Sequence, residues 1–213
     1  MIGDSYSEAI LSAVVEAASS RNNQVLYYGG AHGCAVIAGY ERDSPVYKCQ
    51  QYYREMKDFI AQYPGVDVLL IQAGHHIERK EFSDDERSEL LNNIKASLST
   101  ISHDRRLFVL EPIPRPEENV PKYLAGTLET EGLKTDYKAR RSLIEDQFIE
   151  YKKALKDAAD GDESISYIKV INALCDDEYC RFSYKGRPMY YDRGHLSEFG
   201  NKYLVDSFRP IFD

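Results

Sequence analysis

The sequence predicts an α/β protein of three layers, with helices on both faces of a central, mostly parallel sheet of about five strands. Three observations carry this. Helical and strand-like patterns alternate along the chain. The strand-like runs are short and apolar throughout, as expected where both faces of a sheet are covered. The chain has 213 residues, 43 % of them hydrophobic, and a domain of that size buries roughly 70 % of its unfolded surface without metal or disulfide staples. One domain over residues 1–213 is therefore expected.

Ile10, Leu11, Val14, Val15 and Ala18 recur three and four apart, which predicts a helix over Glu8 to Ser19. Val25 to Tyr28 predicts a short strand. Tyr47 to Tyr63 is helical in pattern and is stopped by Pro64-Gly65. Val66 to Gln72 is the clearest strand, polar only at Asp67 and Gln72. Ser83-Asp84-Asp85-Glu86 has the spacing of a capping box and opens a helix to about Ser102. Leu107 to Leu110 is a further internal strand, followed by a loop from Pro112 to Leu133 with a short helix around Tyr123. Ile144, Phe148, Tyr151 and Leu155 share a face of a long helix predicted from Tyr137 to Ala159, and Ile165 to Ile171 returns to strand. Lys185-Gly186 is flanked by Arg181 to Tyr184 and Pro188 to Tyr191, a small hairpin, and a final helix begins near Ser197.

Charge narrows the partners. The chain carries 27 Lys and Arg against 35 Asp and Glu, a net −8, and its one short basic cluster, Lys138, Arg140 and Arg141, is followed by Glu145 and Asp146. Phosphate neutralisation needs clustered cations, so no nucleic acid is expected as a partner. No apolar run approaches the roughly 20 residues of a membrane helix. The amino terminus lacks the basic flank and apolar core of a secretion signal, which favours the cytoplasm. Against that stand four cysteines in two local pairs, Cys34 with Cys49 and Cys175 with Cys180. They are either two short disulfide loops or four buried thiols. Cys175 and Cys180 lack the second ligand pair of a zinc site, and no metal or other cofactor is expected.

In open α/β sheets ligands bind beyond the carboxyl ends of the strands, and two motifs stand at such junctions. Gly3-Asp4-Ser5 precedes the first helix, and Asp192-Arg193-Gly194-His195 precedes the last. A serine hydroxyl needs an imidazole to take its proton and a carboxylate to fix that imidazole. Ser5, His195 and Asp192 supply these three groups. Ser5 would also sit at a helix amino terminus, where N–H groups stabilise an oxyanion. The competing roles are plainer: Ser5 as a helix cap, His195 as a loop histidine bonded to backbone. Gly74 and His75, after the strand ending at Gln72, and Gly30, in Gly29-Gly30-Ala31-His32-Gly33, are further candidates for oxyanion or substrate contacts. Adjacent His75 and His76 diverge and make a poor metal site.

Gly3-Asp4-Ser5 before a helix, with Asp192-Arg193-Gly194-His195-Leu196-Ser197 and Gly200, resembles the first and last motif blocks of the SGNH hydrolase superfamily, whose sheet is flavodoxin-like. Cys175, Cys180, Tyr191, Asp192 and His195-Leu196-Ser197 resemble, more narrowly, the SGNH domain fused to membrane acyltransferase family 3 proteins, and the Cys34 to Cys49 spacing fits the same group. That resemblance implies Ser5 as nucleophile, His195 as base and Asp192 as its orienting acid. It also implies disulfides Cys34–Cys49 and Cys175–Cys180 formed outside the cytoplasm. Two departures stand out: Ala73-Gly74-His75-His76 occupies the place of the Gly-x-Asn-Asp block, whose Asn donates to the oxyanion, and only Met1-Ile2 remain of the strand before Gly-Asp-Ser. The expectation is therefore a piece of a longer protein, periplasmic or at the cell surface, tethered through a membrane domain that delivers the acyl donor. Its reaction would be O-acylation, chiefly O-acetylation, of polysaccharide, lipopolysaccharide or peptidoglycan through an acyl-Ser5 intermediate, with a saccharide as acceptor. The alternatives are a free-standing carbohydrate esterase and an inactive carbohydrate-binding module.

Overall fold

A computed structural model of the chain describes residues 1–29, 32–42, 45–78, 82–131 and 136–213. In chain order the elements are β1 (Ile2–Gly3), α1 (Ser5–Ser19), α2 (Cys49–Ala61), β2 (Val68–Ile71), α3 (Asp84–Ile101), β3 (Leu107–Leu110), α4 (Val120–Glu131), β4 (Lys138–Arg140), α5 (Arg141–Glu145), α6 (Ile149–Asp160), β5 (Ile165–Ile168), α7 (Ile171–Leu174), β6 (Tyr179–Arg181), β7 (Ser183–Tyr184), β8 (Arg187–Pro188), α8 (Glu198–Asn201) and α9 (Val205–Phe208). They fall into two compact units. The first comprises Met1–Glu8, Leu26–Pro112 and Phe148–Ile168, and the second Ala9–Val25, Ile113–Gln147 and Lys169–Asp213.

The first unit holds a parallel sheet in the order β1-β2-β3-β5, with Ile2 opposite Leu70, Leu70 opposite Val109, and Val109 opposite Tyr167. Val68, Leu70, Leu107, Val109 and Ile165 join Met56 and Ile60 of α2, Ile94 and Leu98 of α3, and Tyr151 and Leu155 of α6 in one core. Leu69, Ile71, Phe108 and Leu110, on the opposite face, are buried too. Burial on both faces explains why these strands carry no polar alternation. Cys34 and Cys49 form a disulfide that ties the segment before α2 to its first residue. The capping box at Ser83 and Glu86 is formed as predicted.

Four strands form where about five were expected, because Val25 to Tyr28 does not make a strand. It contributes a single bridge, Tyr28 to Ile2, and Leu26 is exposed. The strand it bridges, β1, is two residues long, too short to carry a ladder beside it.

The second unit is built around aromatic contacts. Tyr123 stacks on Tyr137, Tyr137 tilts onto Phe182, and Phe182 meets the edge of Tyr190. The predicted hairpin is present, with β7 antiparallel to β8 and both turn residues, Lys185 and Gly186, at positive φ. Two such residues in a two-residue loop match the right-handed twist of the strands. Cys175 and Cys180 are disulfide-bonded and also bridge as backbone neighbours.

The long helix expected from Tyr137 to Ala159 is three elements instead. Lys138–Arg140 pairs antiparallel with β6, which a helix there would forbid, and Phe148 takes a left-handed φ of 57° that ends one helical path before α6 starts another. The loop from Pro112 to Leu133 carries the helix expected around Tyr123, α4, 12 residues long; the Asn119 carboxamide oxygen caps it by accepting from the Lys122 N–H.

Candidate functional site

Gly3-Asp4-Ser5 turns the chain from β1 into α1. Gly3 has φ +151°, and a Cβ there would lie 1.7 Å from the Ile71 carbonyl oxygen, so only glycine lets β1 approach β2 so closely. Asp4, not Ser5, caps the helix. Its Oδ1 accepts the Tyr6 N–H at 2.8 Å and its carbonyl accepts the Ser7 N–H at 3.0 Å. The capping role considered for Ser5 therefore belongs to its neighbour, and Ser5 stands half-buried as the first residue of α1.

Asp4 reaches further. Its Oδ2 accepts the Ala73 N–H at 2.8 Å and pairs with His76 Nε2 at 2.6 Å, while His76 Nδ1 lies 3.2 Å from the Tyr40 hydroxyl. These groups are buried. The two adjacent histidines do not diverge as expected: their ring centroids lie 4.8 Å apart with planes tilted by 35°, His76 pairing with buried Asp4 and half-buried His75 also tilting against Tyr6. Gly74 is packed beneath Phe148, whose ring atoms a Cβ would meet at 2.6 Å. Asp4 and Ala73-Gly74-His75 thus leave the carboxyl ends of neighbouring strands and are tied together by one carboxylate. Buried Glu111 follows β3 at the same end; burial first, and then the Glu111 charge, pushes the Tyr167 hydroxyl well above its usual range.

In the second unit, Tyr191 to His195 form a closed bend, with the Tyr191 N–H donating to the His195 carbonyl at 3.1 Å and Tyr190 bridging Leu196. Within it Asp192 Oδ1 accepts the N–H groups of Gly194 at 2.7 Å and His195 at 2.8 Å, and Oδ2 meets His195 Nδ1 at 2.7 Å. Burial raises the Asp192 pKa, but the His195 and Gly194 N–H groups and the imidazole outweigh it, so the carboxyl lies below its ordinary range. It is an anion at neutral pH, and it fixes the ring with Nδ1 occupied. Tyr190 is anchored by its hydroxyl to the Pro114 carbonyl at 2.6 Å, and the Arg193 guanidinium donates to the Glu117 carbonyl. After the bend, Ser197 caps α8. Gly200 packs so tightly that a Cβ would lie 2.1 Å from the Met189 carbonyl oxygen.

Of the residues singled out by sequence, the structure joins Asp192 to His195 directly, and places Gly74 and His75 on the segment bound by Asp4. Ser5 lies in the first unit, Asp192 and His195 in the second. Gly30 lies outside the described residues. All four cysteines are paired. Among the described residues no group of three or more His, Cys, Asp and Glu side chains converges as a metal site. Asp4 and His76 pair across the sheet without any local motif to mark them. A buried carboxylate just after a strand needs cationic or N–H partners, and Asp4 takes them from the Tyr6 and Ala73 N–H groups and from His76, just beyond the neighbouring strand.

A family profile described as "SGNH domain (fused to AT3 domains)" matches residues 1–210, and the chain belongs to this family. Among solved structures, the periplasmic domain of a lipopolysaccharide acetyltransferase from Salmonella ser. Paratyphi A is similar with a TM-score of 0.78 and 17 % identity, over 100 % of this chain and 82 % of that one. A protein from Streptococcus pneumonia described as a putative platelet activating factor is similar with a TM-score of 0.58 and 16 % identity, again over 100 % and 82 %. At such identities the likeness is one of fold. No curated protein matches the sequence. No helix among the described residues is long and apolar enough to cross a membrane.

Proposed function

We propose that this chain is the acyl-transferring domain of a cell-surface O-acyltransferase, acting outside the cytoplasm on a saccharide hydroxyl, with acetyl as the group moved. Ser5 Oγ attacks the acyl carbonyl and its proton passes to His195 Nε2. The tetrahedral oxyanion is met by the Ser5 N–H and by N–H groups of the Gly74-His75 segment. Collapse expels the donor's leaving group, which takes the proton back from the imidazolium. The acceptor hydroxyl then attacks acyl-Ser5, gives its proton to Nε2, and leaves as the ester while Ser5 is reprotonated. The donor is delivered by a membrane acyltransferase domain of the kind to which this family is fused.

The observation that carries this reading is the pairing of Asp192 with His195 Nδ1 inside one closed bend, which presents Nε2 as a base. Incubation with an isotope-labelled acetyl ester, rapid acid quench and peptide mass spectrometry test it. A labelled acetyl group on the Ser5 peptide, absent in Ser5→Ala, is expected; unaltered turnover in Ser5→Ala would overturn the serine mechanism. Efficient hydrolysis of acetylated polysaccharide with no transfer would assign the same site to an esterase.

A further inference from the structure

We infer that His76 is a positioning residue for Ser5, acting through Asp4, and that its imidazole is not the oxyanion donor of this site; the inference rests on Ser5 being the nucleophile. Both ring nitrogens are committed, Nε2 to Asp4 and Nδ1 to the Tyr40 hydroxyl, and the His76 and Asp4 side chains are 2 % and 0 % exposed. A ring so held cannot turn toward an oxyanion. What it does instead follows from what Asp4 holds. Asp4 receives N–H groups from Tyr6, one residue beyond Ser5, and from Ala73, one residue before Gly74, and its own N–H donates to the Ile71 carbonyl at 3.3 Å. The Tyr52 hydroxyl fixes the preceding carbonyl, Gly3 O, at 2.7 Å.

The carboxylate is thus a clasp between the serine turn and the glycine segment after β2, and His76 sets its rotamer. The Ser5 Cα is separated from the Asp4 Cα by one rigid peptide, so any rotation of the clasp moves the nucleophile relative to the Gly74-His75 N–H groups. With Tyr40 donating to Nδ1, the ring donates from Nε2 to the carboxylate. His76 therefore acts on the reacting geometry without touching substrate.

The test compares His76→Leu, which removes the donor at similar volume, with His76→Gln, whose amide restores an N–H at about the reach of Nε2, on a small activated acetyl ester. A misplacement of about 1 Å costs up to about a hundredfold in rate. The leucine variant is therefore expected to lose at least about tenfold in kcat with KM within about twofold, and glutamine to recover most of the loss. The rate of Ser5 modification by a fluorophosphonate should fall in parallel. A folded leucine variant, shown by a cooperative melt, with kcat within about threefold of the unaltered chain overturns the inference. Where the leucine variant does not fold, Tyr40→Phe decides. It deletes only the hydroxyl on Nδ1, and a kcat loss of about threefold or more at constant KM supports the clasp, while unchanged kcat overturns it. Failure of the unaltered chain to label at Ser5 overturns the nucleophile and the clasp together, an outcome distinct from normal labelling with an indifferent His76.

Discussion

The phenol ring of Tyr191 lies flat over the imidazole of His195, with ring centroids 5.3 Å apart and planes 9° apart. Asp192 fixes one edge of the same imidazole, so the ring is held in its plane by the carboxylate and out of its plane by the tyrosine. Aromatic stacking is worth about 0.5–1.5 kcal/mol, a factor of roughly two to ten in the population of the held orientation. Tyr191→Ala is expected to lower kcat on a small acetyl ester by about that factor, with Tyr191→Phe close to the unaltered chain. Because Tyr191 is 56 % exposed, thermal melts of both variants should stay close to the original, which separates loss of orientation from loss of fold.

Asp192 gives a pH prediction whose sign follows from its depressed pKa. A carboxyl that ionises more readily folded than unfolded adds stability that is fully present above its unfolded pKa of about 3.9 and is lost as pH falls through the lower folded value. The closed bend should therefore persist through mild acid, and Asp192→Asn should remove this acid-range slope from denaturant melts taken between pH 2 and 5.

The middle of the sheet was legible in the sequence because β2 and β3 are buried on both faces: Leu107 to Leu110 has the predicted bounds, and Val68–Ile71 lies inside its predicted run. The bend carrying Asp192 and His195 was legible because the two groups are three residues apart and meet through local backbone. Asp4 with His76 was not, since 72 residues separate them and only the parallel pairing of β1 with β2 brings them together. The misread helix after Tyr137 fails for a related reason. Ile144, Phe148, Tyr151 and Leu155 are all buried, as their spacing says. Periodicity, however, does not reveal that Lys138–Arg140 has a distant strand partner or that Phe148 adopts a left-handed turn. In α4 the helix expected around Tyr123 is present, and Asn119 ahead of Val120-Pro121 marks its capped start.

Reduction should cost the two disulfides unequally. On the chain-entropy account, closing the Cys34–Cys49 separation of 15 residues stabilises by about 3 kcal/mol and closing the Cys175–Cys180 separation of five by about 2 kcal/mol. All four cysteines are buried, so alanines leave a small packing defect at either pair and the loop lengths set the difference. Urea melts of Cys34→Ala/Cys49→Ala are expected to show the larger shift. Peptide mapping without reduction, on protein made in an oxidising compartment, should recover both pairs; four free thiols in such material would count against residence outside the cytoplasm.

The last expectation concerns what the chain does without a membrane partner. Transfer requires a saccharide hydroxyl to outcompete water at about 55 M for the acyl-serine, which takes an acceptor held in attack geometry with solvent kept away. It also requires a donor. Acetyl-coenzyme A is bound through its phosphates by clustered Lys and Arg or by helix amino termini, and this chain carries a net charge of −8 with its short basic cluster at Lys138, Arg140 and Arg141. Two of those three residues, Lys138 and Arg140, sit on β4, paired to β6, and the Arg141 guanidinium is spent on Glu145 and Asn172. The isolated chain is therefore expected to hydrolyse small activated acetyl esters slowly and to transfer almost nothing from acetyl-coenzyme A to oligosaccharides. Mass spectrometry of the acceptor, run beside a chromogenic ester assay, checks both at once. Efficient transfer from acetyl-coenzyme A by this chain alone would show that it binds its own donor, and would end the division of labour with a membrane domain.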